Sequence, residues 1–442
     1  MKGDFTRNTF DPNKHFSRVL MQQGRVQLDA DWNEQTAILL HYLRTVTRDL
    51  FGPYGGPAGA ECGFGITADG ASKNFKIGHG RYYVDGILCE TDGECWYQAE
   101  EDRQAQPDYV PLQSLANNTQ HLVYLDVWER HISHVEDDDI REKALLGPDT
   151  ATRAKVIWQV KVLPMPDGRT CEDLAATLPR QSMPRARARV MPIRPSTDPC
   201  IQAPDARYRG AENQLYRVEV HQGGKAADGA TFKWSRDNGA VIFPIVEMHG
   251  ASVTLEHLGR DSRLGLHVGD WVEVVDDDKT LQGDPGLMLH VDVIDPVEMK
   301  VTLKTSGVPL PVYDKDSTSH PYLRRWDQKS TQATSLVDGA LPIVEATDGH
   351  WLDLEDSVQV QFQLGGDYRT GDYWLIPART ATGEVEWPGP ADAPEPRKPH
   401  GIVHHFAPLA KITVDGAGNV SVPEDCRCAV TTTRQCPPLG DV

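Results

Sequence analysis

The sequence predicts a mainly β protein: an N-terminal amphipathic helix followed by two or three β-sandwich or small-barrel domains. Three observations carry this. Helical periodicity is confined to one run near the N-terminus. After Gly52 the chain breaks into short β-branched and aromatic runs separated by Gly, Pro, Asn and Asp, the texture of a turn-rich β body. And 442 residues, 39% hydrophobic and 25% charged, are enough chain for roughly two to four domains with real cores. A disulfide miniature and a wholly disordered chain are both excluded.

Taken in order, residues 1–52 form an N-terminal docking segment with a helix over 31–50. Leu39, Leu43, Val46 and Leu50 recur at steps of four, three and four, one face of a helix ready to bury against a neighbouring copy or a partner groove, or else against its own β domain. Asp31 with Glu34 resembles a capping box, and Gly52-Pro53 stops the run. Residues 53–165 form a first β domain. Within it Arg81 to Leu88 reads as two strands around a tight Asp85-Gly86 turn, and Leu122 to Trp128 and Val156 to Leu163 as longer strands. Residues 166–212, rich in Pro and Arg, read as a linker. Its arginines between Pro179 and Pro195 suggest either a docking strip for an acidic partner or a solvated connection. Residues 213–305 form a β-barrel or sandwich domain. There Ala230 to Val246 predicts a hairpin, because Asp237-Asn238-Gly239 suits a type I′ turn. Val253 to Leu255, Trp271 to Val275, Leu289 to Val293 and Val301 to Leu303 add four strands. Residues 306–442 form a C-terminal β domain with strands at Val358 to Phe362, Tyr373 to Ile376 and Leu409 to Val414.

The formal charge of −19, from 45 Lys and Arg against 64 Asp and Glu, disfavours nucleic acid or anionic membrane as a partner. The opening MKGDFTRNTFDPNKHF has no apolar secretory core, and no stretch approaches a membrane span. Cytoplasmic synthesis without membrane insertion is the expectation. The eight cysteines then read first as small buried residues or free thiols, with disulfides as the alternative.

No phosphate loop, nucleophile elbow, zinc-protease helix or dinucleotide fingerprint occurs, so no catalytic residue and no cofactor is expected. Metal candidates are weak. Asp276, Asp278 and Asp284 offer hard oxygens of the kind calcium takes, without the spaced loop pattern. Cys426, Cys428 and Cys436 offer soft ligands for zinc, to be completed by His400, His404 or His405, without a matching second pair. His131 and His134 beside Glu129 and the acidic run from Glu136 fit no standard ligand set, since strand neighbours alternate faces. Trp234-Ser235-Arg236-Asp237 is explained by a hairpin more simply than by catalysis.

The opening from Met1 to Arg7 and from Lys14 to Gln35, including QQGRVQLDADWNEQ, resembles a bacterial family of unknown function associated with phage tails and phage-tail-like contractile injection systems. The resemblance continues through Val123 to Arg130, Gly147 to Arg153, Thr231 to Gly239 and Gly371 to Pro377, nearly the whole chain. It implies a structural or attachment subunit at the baseplate, fibre or surface of such a particle, made in the cytoplasm and then assembled, its partners the other particle subunits. By analogy with tail fibres a homo-oligomer, in particular a trimer, is expected. The rival expectation is a protein that binds or cleaves surface glycans, which needs a tryptophan-lined cleft with two carboxylates about 5–9.5 Å apart. A cargo toxin would need a buried catalytic constellation.

Overall fold

Strands dominate the chain, and their partners lie far apart in sequence. The computed structural model describes residues 1–430 except 70–71, 109, 111–113, 146, 166–169, 174–183, 193–206, 306, 331–334 and 347–348.

The described strands fall into three nested bodies. The outer body is built on a sheet ordered Val420–Asp425, His405–Val414, Thr119–Ile132, Arg153–Pro164. A second sheet carries Ala429–Val430, Tyr54–Pro57, Gly80–Val84 and Ile87–Thr91. Val123, Leu125, Val127, Val160 and Ile412 face Phe64, Tyr82 and Val84 across its core. The middle body runs Leu341–Pro342, Thr231–Ser235, Gln214–Gln222, Tyr373–Arg379, Glu384–Val385, faced by a sheet of Leu352–Asp353, Val358–Phe362 and Ala186–Val190. Tyr216, Val218, Phe232, Trp374 and Phe362 fill the space between. The inner body is a closed six-stranded barrel of Ile242–His249, Ser252–Leu255, Lys300–Lys304, Leu287–Asp295, Trp271–Val275 and Tyr322–Trp326, packed with Phe243, Val272, Val291 and Leu323.

This nesting corrects the contiguous division at 165, 212 and 305. Tyr322–Trp326 closes the barrel, while His405–Val414 pairs with Thr119–Ile132 over nine registered pairs. The expected linker contributes Ala186–Val190, which pairs antiparallel with Val358–Phe362, and Arg189 stacks 3.8 Å over Trp351.

The hairpin expected at Ala230 to Val246 is also corrected. The turn itself is there: Asn238 and Gly239 have φ of 51° and 66°, and Ala240 N–H donates to the Asp237 carbonyl at 2.9 Å. The flanking strands part company, because Phe232 and Trp234 enter the middle core whereas Phe243 and Ile245 enter the barrel. Tyr322–Trp326 pairs with Ile242, Phe243 and Pro244 in the hairpin partner's place. The Asp85-Gly86 turn, by contrast, does join two paired strands.

The helix spans Asp29–Phe51, longer than 31–50. Asp31 is not its cap; it sits one turn in and accepts the Leu28 N–H at 3.4 Å, while Asp29 is held by Thr6. Ile38 and Ala30 are buried. The helix rests on the outer body through Arg44, bidentate to Glu129, and through close passage over Gly86, where any Cβ would collide with the Arg44 carbonyl.

A buried charge cluster beneath the N-terminal strap

The strand Gln214–Gln222 alternates in the usual way, with Tyr216, Val218 and Val220 toward the middle core. Its other face carries Arg217, Glu219 and His221, and these are buried too. The barrel's outer wall covers them with Glu273 and, from the adjacent paired strand, Tyr322, Arg324 and Trp326. Lys233, from the neighbouring strand, stands between the two bodies.

Lys233 Nζ lies 2.6 Å from Glu273 and 3.4 Å from Glu219, all with side chains at most 4% exposed. Arg217 Nε donates to Glu219 at 2.5 Å, and its guanidinium stacks 3.5 Å over Tyr373. Glu273 also accepts from Trp326 Nε1 at 2.8 Å and from the Gly286 N–H at 2.9 Å. Arg324 donates to the Gly239 carbonyl and to the Tyr322 hydroxyl. Burial opposes ionisation of Glu219, but Lys2, Arg217 and Lys233 outweigh it and hold the carboxyl well below its usual range. Burial likewise opposes Glu273, which Lys233 nonetheless brings down to about 2. The same surroundings keep imidazoles neutral: burial and then Lys233 push His221 down to about 4, and burial and then Arg324 push His131 down to about 3. A buried charge cluster of this kind survives only when each ion is met by partners.

The last partners come from residues 1–5, a strap laid where the three bodies meet. Lys2 Nζ pairs with Glu219 at 2.9 Å and lies 5.8 Å over the Trp326 ring. The Met1 carbonyl accepts from Arg217 Nη1 at 3.2 Å and from Asn238 Nδ2 at 3.3 Å, and its nitrogen donates to the Tyr373 hydroxyl at 2.6 Å. The Gly3 carbonyl accepts from Asn238 Nδ2 at 2.9 Å. Phe5 meets His131 of the outer body edge-on at 6.3 Å. Sequence reasoning missed this site. Its signal was present as charged residues alternating through otherwise apolar strands, in LYRVEVH, TFKWS, WVEVV and YLRRW.

The residues singled out from sequence lie elsewhere. Leu39, Leu43, Val46 and Leu50 are 54%, 64%, 53% and 71% exposed along one face of the helix. Asp276 is consumed as a helix cap, accepting the Lys279 N–H at 2.9 Å and the Tyr313 hydroxyl at 2.7 Å; Asp284 lies 3.8 Å from Lys279. Asp278 has its carboxyl raised by burial and then by Asp276. Among the described residues the one gathering of three metal-type ligands is Cys171, Glu424 and Cys426, and a disulfide joins its two cysteines. That pairing corrects the free-thiol expectation at Cys171 and Cys426 alone, since Cys62, Cys89, Cys95 and Cys428 are free, and it removes Cys426 from any zinc set with the exposed Cys428; Cys436 lies outside the described residues. His404 and His405 are engaged by Asp126 and Asp85 at 2.6 and 2.8 Å. His134 pairs with Asp149 at 3.1 Å. Burial pushes the thiols of Cys89 and Cys95 up to about 12 and 11, the opposite of an activated nucleophile. Trp128, Trp158, Trp234, Trp326 and Trp374 are packed inside at 6% exposure or less.

Fold and site together define a class: three β bodies clamped by buried ion pairs, with an N-terminal arm carrying both the strap and an exposed helix. The chain belongs to a family of unknown function (DUF6519), whose model matches residues 1–178 and 167–436. No curated protein and no solved structure matches it.

Proposed function

We propose that this protein is a non-enzymatic structural or attachment subunit of a phage-tail-like contractile injection particle, docked by its N-terminal arm at the baseplate, fibre or particle surface. The observation that carries the reading is the exposed apolar stripe of the arm. Leu39, Leu43, Val46 and Leu50 continue into Trp32, 68% exposed, and into Phe16, Leu20, Met21 and Val26, exposed by half or more. Apolar surface of that extent marks an interaction site. In this reading the helix is the amphipathic docking element and the β bodies project as sandwich and barrel modules. The steps of four and three suit packing against copies of the same helix, as in a trimer. The resemblance of the opening motif supplies the particle. In this reading the protein is made in the cytoplasm and assembled into a particle that is released or directed to the surface. No described helix is long and apolar enough to cross a membrane.

The test replaces Leu39, Leu43, Val46 and Leu50 together by serine in the native host. The β bodies stay folded, because the four side chains are exposed, and the protein disappears from pellets of sheathed tubes. Undiminished co-sedimentation of the folded variant would remove the arm as the docking element.

A further inference from the structure

The strap reads as a bound peptide. It contributes no strand to any sheet among the described residues, whose first strand begins at Tyr54, so its departure breaks no ladder. It is held by recognition of particular chemistry at successive positions. Position 2 must be a cation, because its ammonium meets Glu219 and the Trp326 face. Position 3 must be small, because Phe5 folds back through a tight turn, its N–H donating to the Gly3 carbonyl at 2.9 Å, and its ring occupies the space a Cβ would need. Position 5 must be aromatic to meet His131. Asn238 and Arg217 read the main-chain carbonyls between, as peptide sites do. Asn238 is itself 1% exposed and Glu219 1%, so the cradle is a built, desolvated site.

Beyond the strap the connection holds to the middle body at Arg7, paired with Glu386 at 3.0 Å, and at the Thr6 carbonyl, which accepts from Arg379 at 3.1 Å. Thr6 and Thr9 are tied to Asp29 and Glu34, and Val19 N–H reaches Gln35 at 2.8 Å. From Asn13 to Leu28 every residue but Val19 is exposed. Extended at about 3.3 Å per residue, such a connector reaches well beyond one molecule's surface.

We propose that the junction of the three bodies is a peptide-recognition cradle for a Lys-Gly-x-Phe segment, and that the partner it fits is the N-terminal strap of a second copy of this chain. Strap exchange then links copies through a site that is already complete within each one, the logic of domain swapping. The inference is independent of the particle reading, since it concerns only what one copy can offer another.

Two full-length variants test it. Lys2→Glu spoils the strap and leaves the cradle intact; Glu219→Lys spoils the cradle and leaves the strap intact. Neither alone links copies through the strap, so each sediments more slowly than their mixture, in which the two variants join one-to-one. A fluorescent peptide of residues 1–10 binds the Lys2→Glu chain saturably, binds the wild-type chain at least tenfold more weakly because the cradle is occupied, and loses at least tenfold when it carries Lys2→Glu itself. Should Glu219→Lys fail to fold, the peptide measurement decides. Peptide binding without a mixed complex would overturn the second copy as partner. A Lys2→Glu chain that releases its strap in hydrogen exchange yet binds no peptide would overturn the cradle, as would a strap that stays protected despite the reversed charge.

Discussion

Replacing Lys233 by methionine removes one ammonium from the interface between barrel and middle body while nearly preserving its volume. The structure sets the consequence. At 2.6 and 3.4 Å from two carboxylates, Lys233 makes two attractions of about 5–6 kcal/mol each at an effective dielectric of about 20. Most of that gross figure is offset by the desolvation of the three groups. What remains decisive is asymmetry: Glu219 keeps Lys2 and Arg217 in direct contact, but Glu273 keeps only neutral groups there, Trp326, Gly286 and His221 at 3.8 Å, with the Lys2 charge acting from further off. A buried charge stripped of its partner costs about 3–5 kcal/mol. Adding Glu273→Gln to Lys233→Met should then recover about 2 kcal/mol, because the uncompensated charge is gone and the site loses one hydrogen-bond acceptor strength rather than an ion. Urea unfolding followed by tryptophan fluorescence measures both, with Trp234 and Trp326 reporting from either side of the interface. If the barrel and middle body are coupled through this pair, the single variant also splits the transition in two. A single-variant loss under about 1 kcal/mol, or losses that simply add in the double variant, would refute the assignment of the clamp to these ions.

Two further outcomes are expected. His221 is held neutral, with a folded pKa of about 4 against about 6.5 unfolded, so below about 6.5 the unfolded state takes up the proton and the native state does not. Its stabilising contribution is therefore full above about pH 6.5 and falls by about 3 kcal/mol as the pH drops to about 4; urea midpoints between pH 8 and pH 4 should show the slope, and His221→Gln should lessen it by about that amount, leaving the share that the buried His131 and His400 contribute in the same way. Gly86→Ala faces both a φ of 81° and the Arg44 carbonyl, so the helix should lift from the outer body at a cost on the order of 2 kcal/mol. Hydrogen exchange of the Asp29–Phe51 amides reads this directly, and unchanged protection would show that the helix does not need that contact.

Local features were legible in the sequence where one kind of physics decides them. The long helix follows from the spacing of Leu39, Leu43, Val46 and Leu50, and the strands around Asp85-Gly86 follow from turn chemistry. Pairing was not legible, because it is a contest between strands distant in sequence. Asn238-Gly239 makes its turn correctly and still joins no hairpin, since Tyr322–Trp326 is the better neighbour for Ile242. The strand within the Pro- and Arg-rich stretch was hidden for a related reason: Ala186 and Ala188 are small enough to bury wherever Val360 presents a face, but carry no hydrophobic period of their own. The charge cluster was missed because alternation marks one face as polar without saying whether water or another body covers it. Of the weak metal candidates, Asp276 caps a helix and Asp284 lies near Lys279, roles that an acidic run beside a loop does not announce in sequence.

The nested order of the bodies also governs how the chain is made. Thr119–Ile132 leaves the ribosome nearly three hundred residues before its partner His405–Val414. At about 5–20 residues per second that is on the order of tens of seconds during which one edge of a long apolar strand is unpaired. The barrel, complete once Trp326 has emerged, is the first body able to close, so synthesis proceeds from the inside of the nest outward. Chains interrupted between Trp326 and about Val414 would contain a finished barrel and an unfinished outer sheet, and would be cleared or aggregate rather than accumulate as a working fragment.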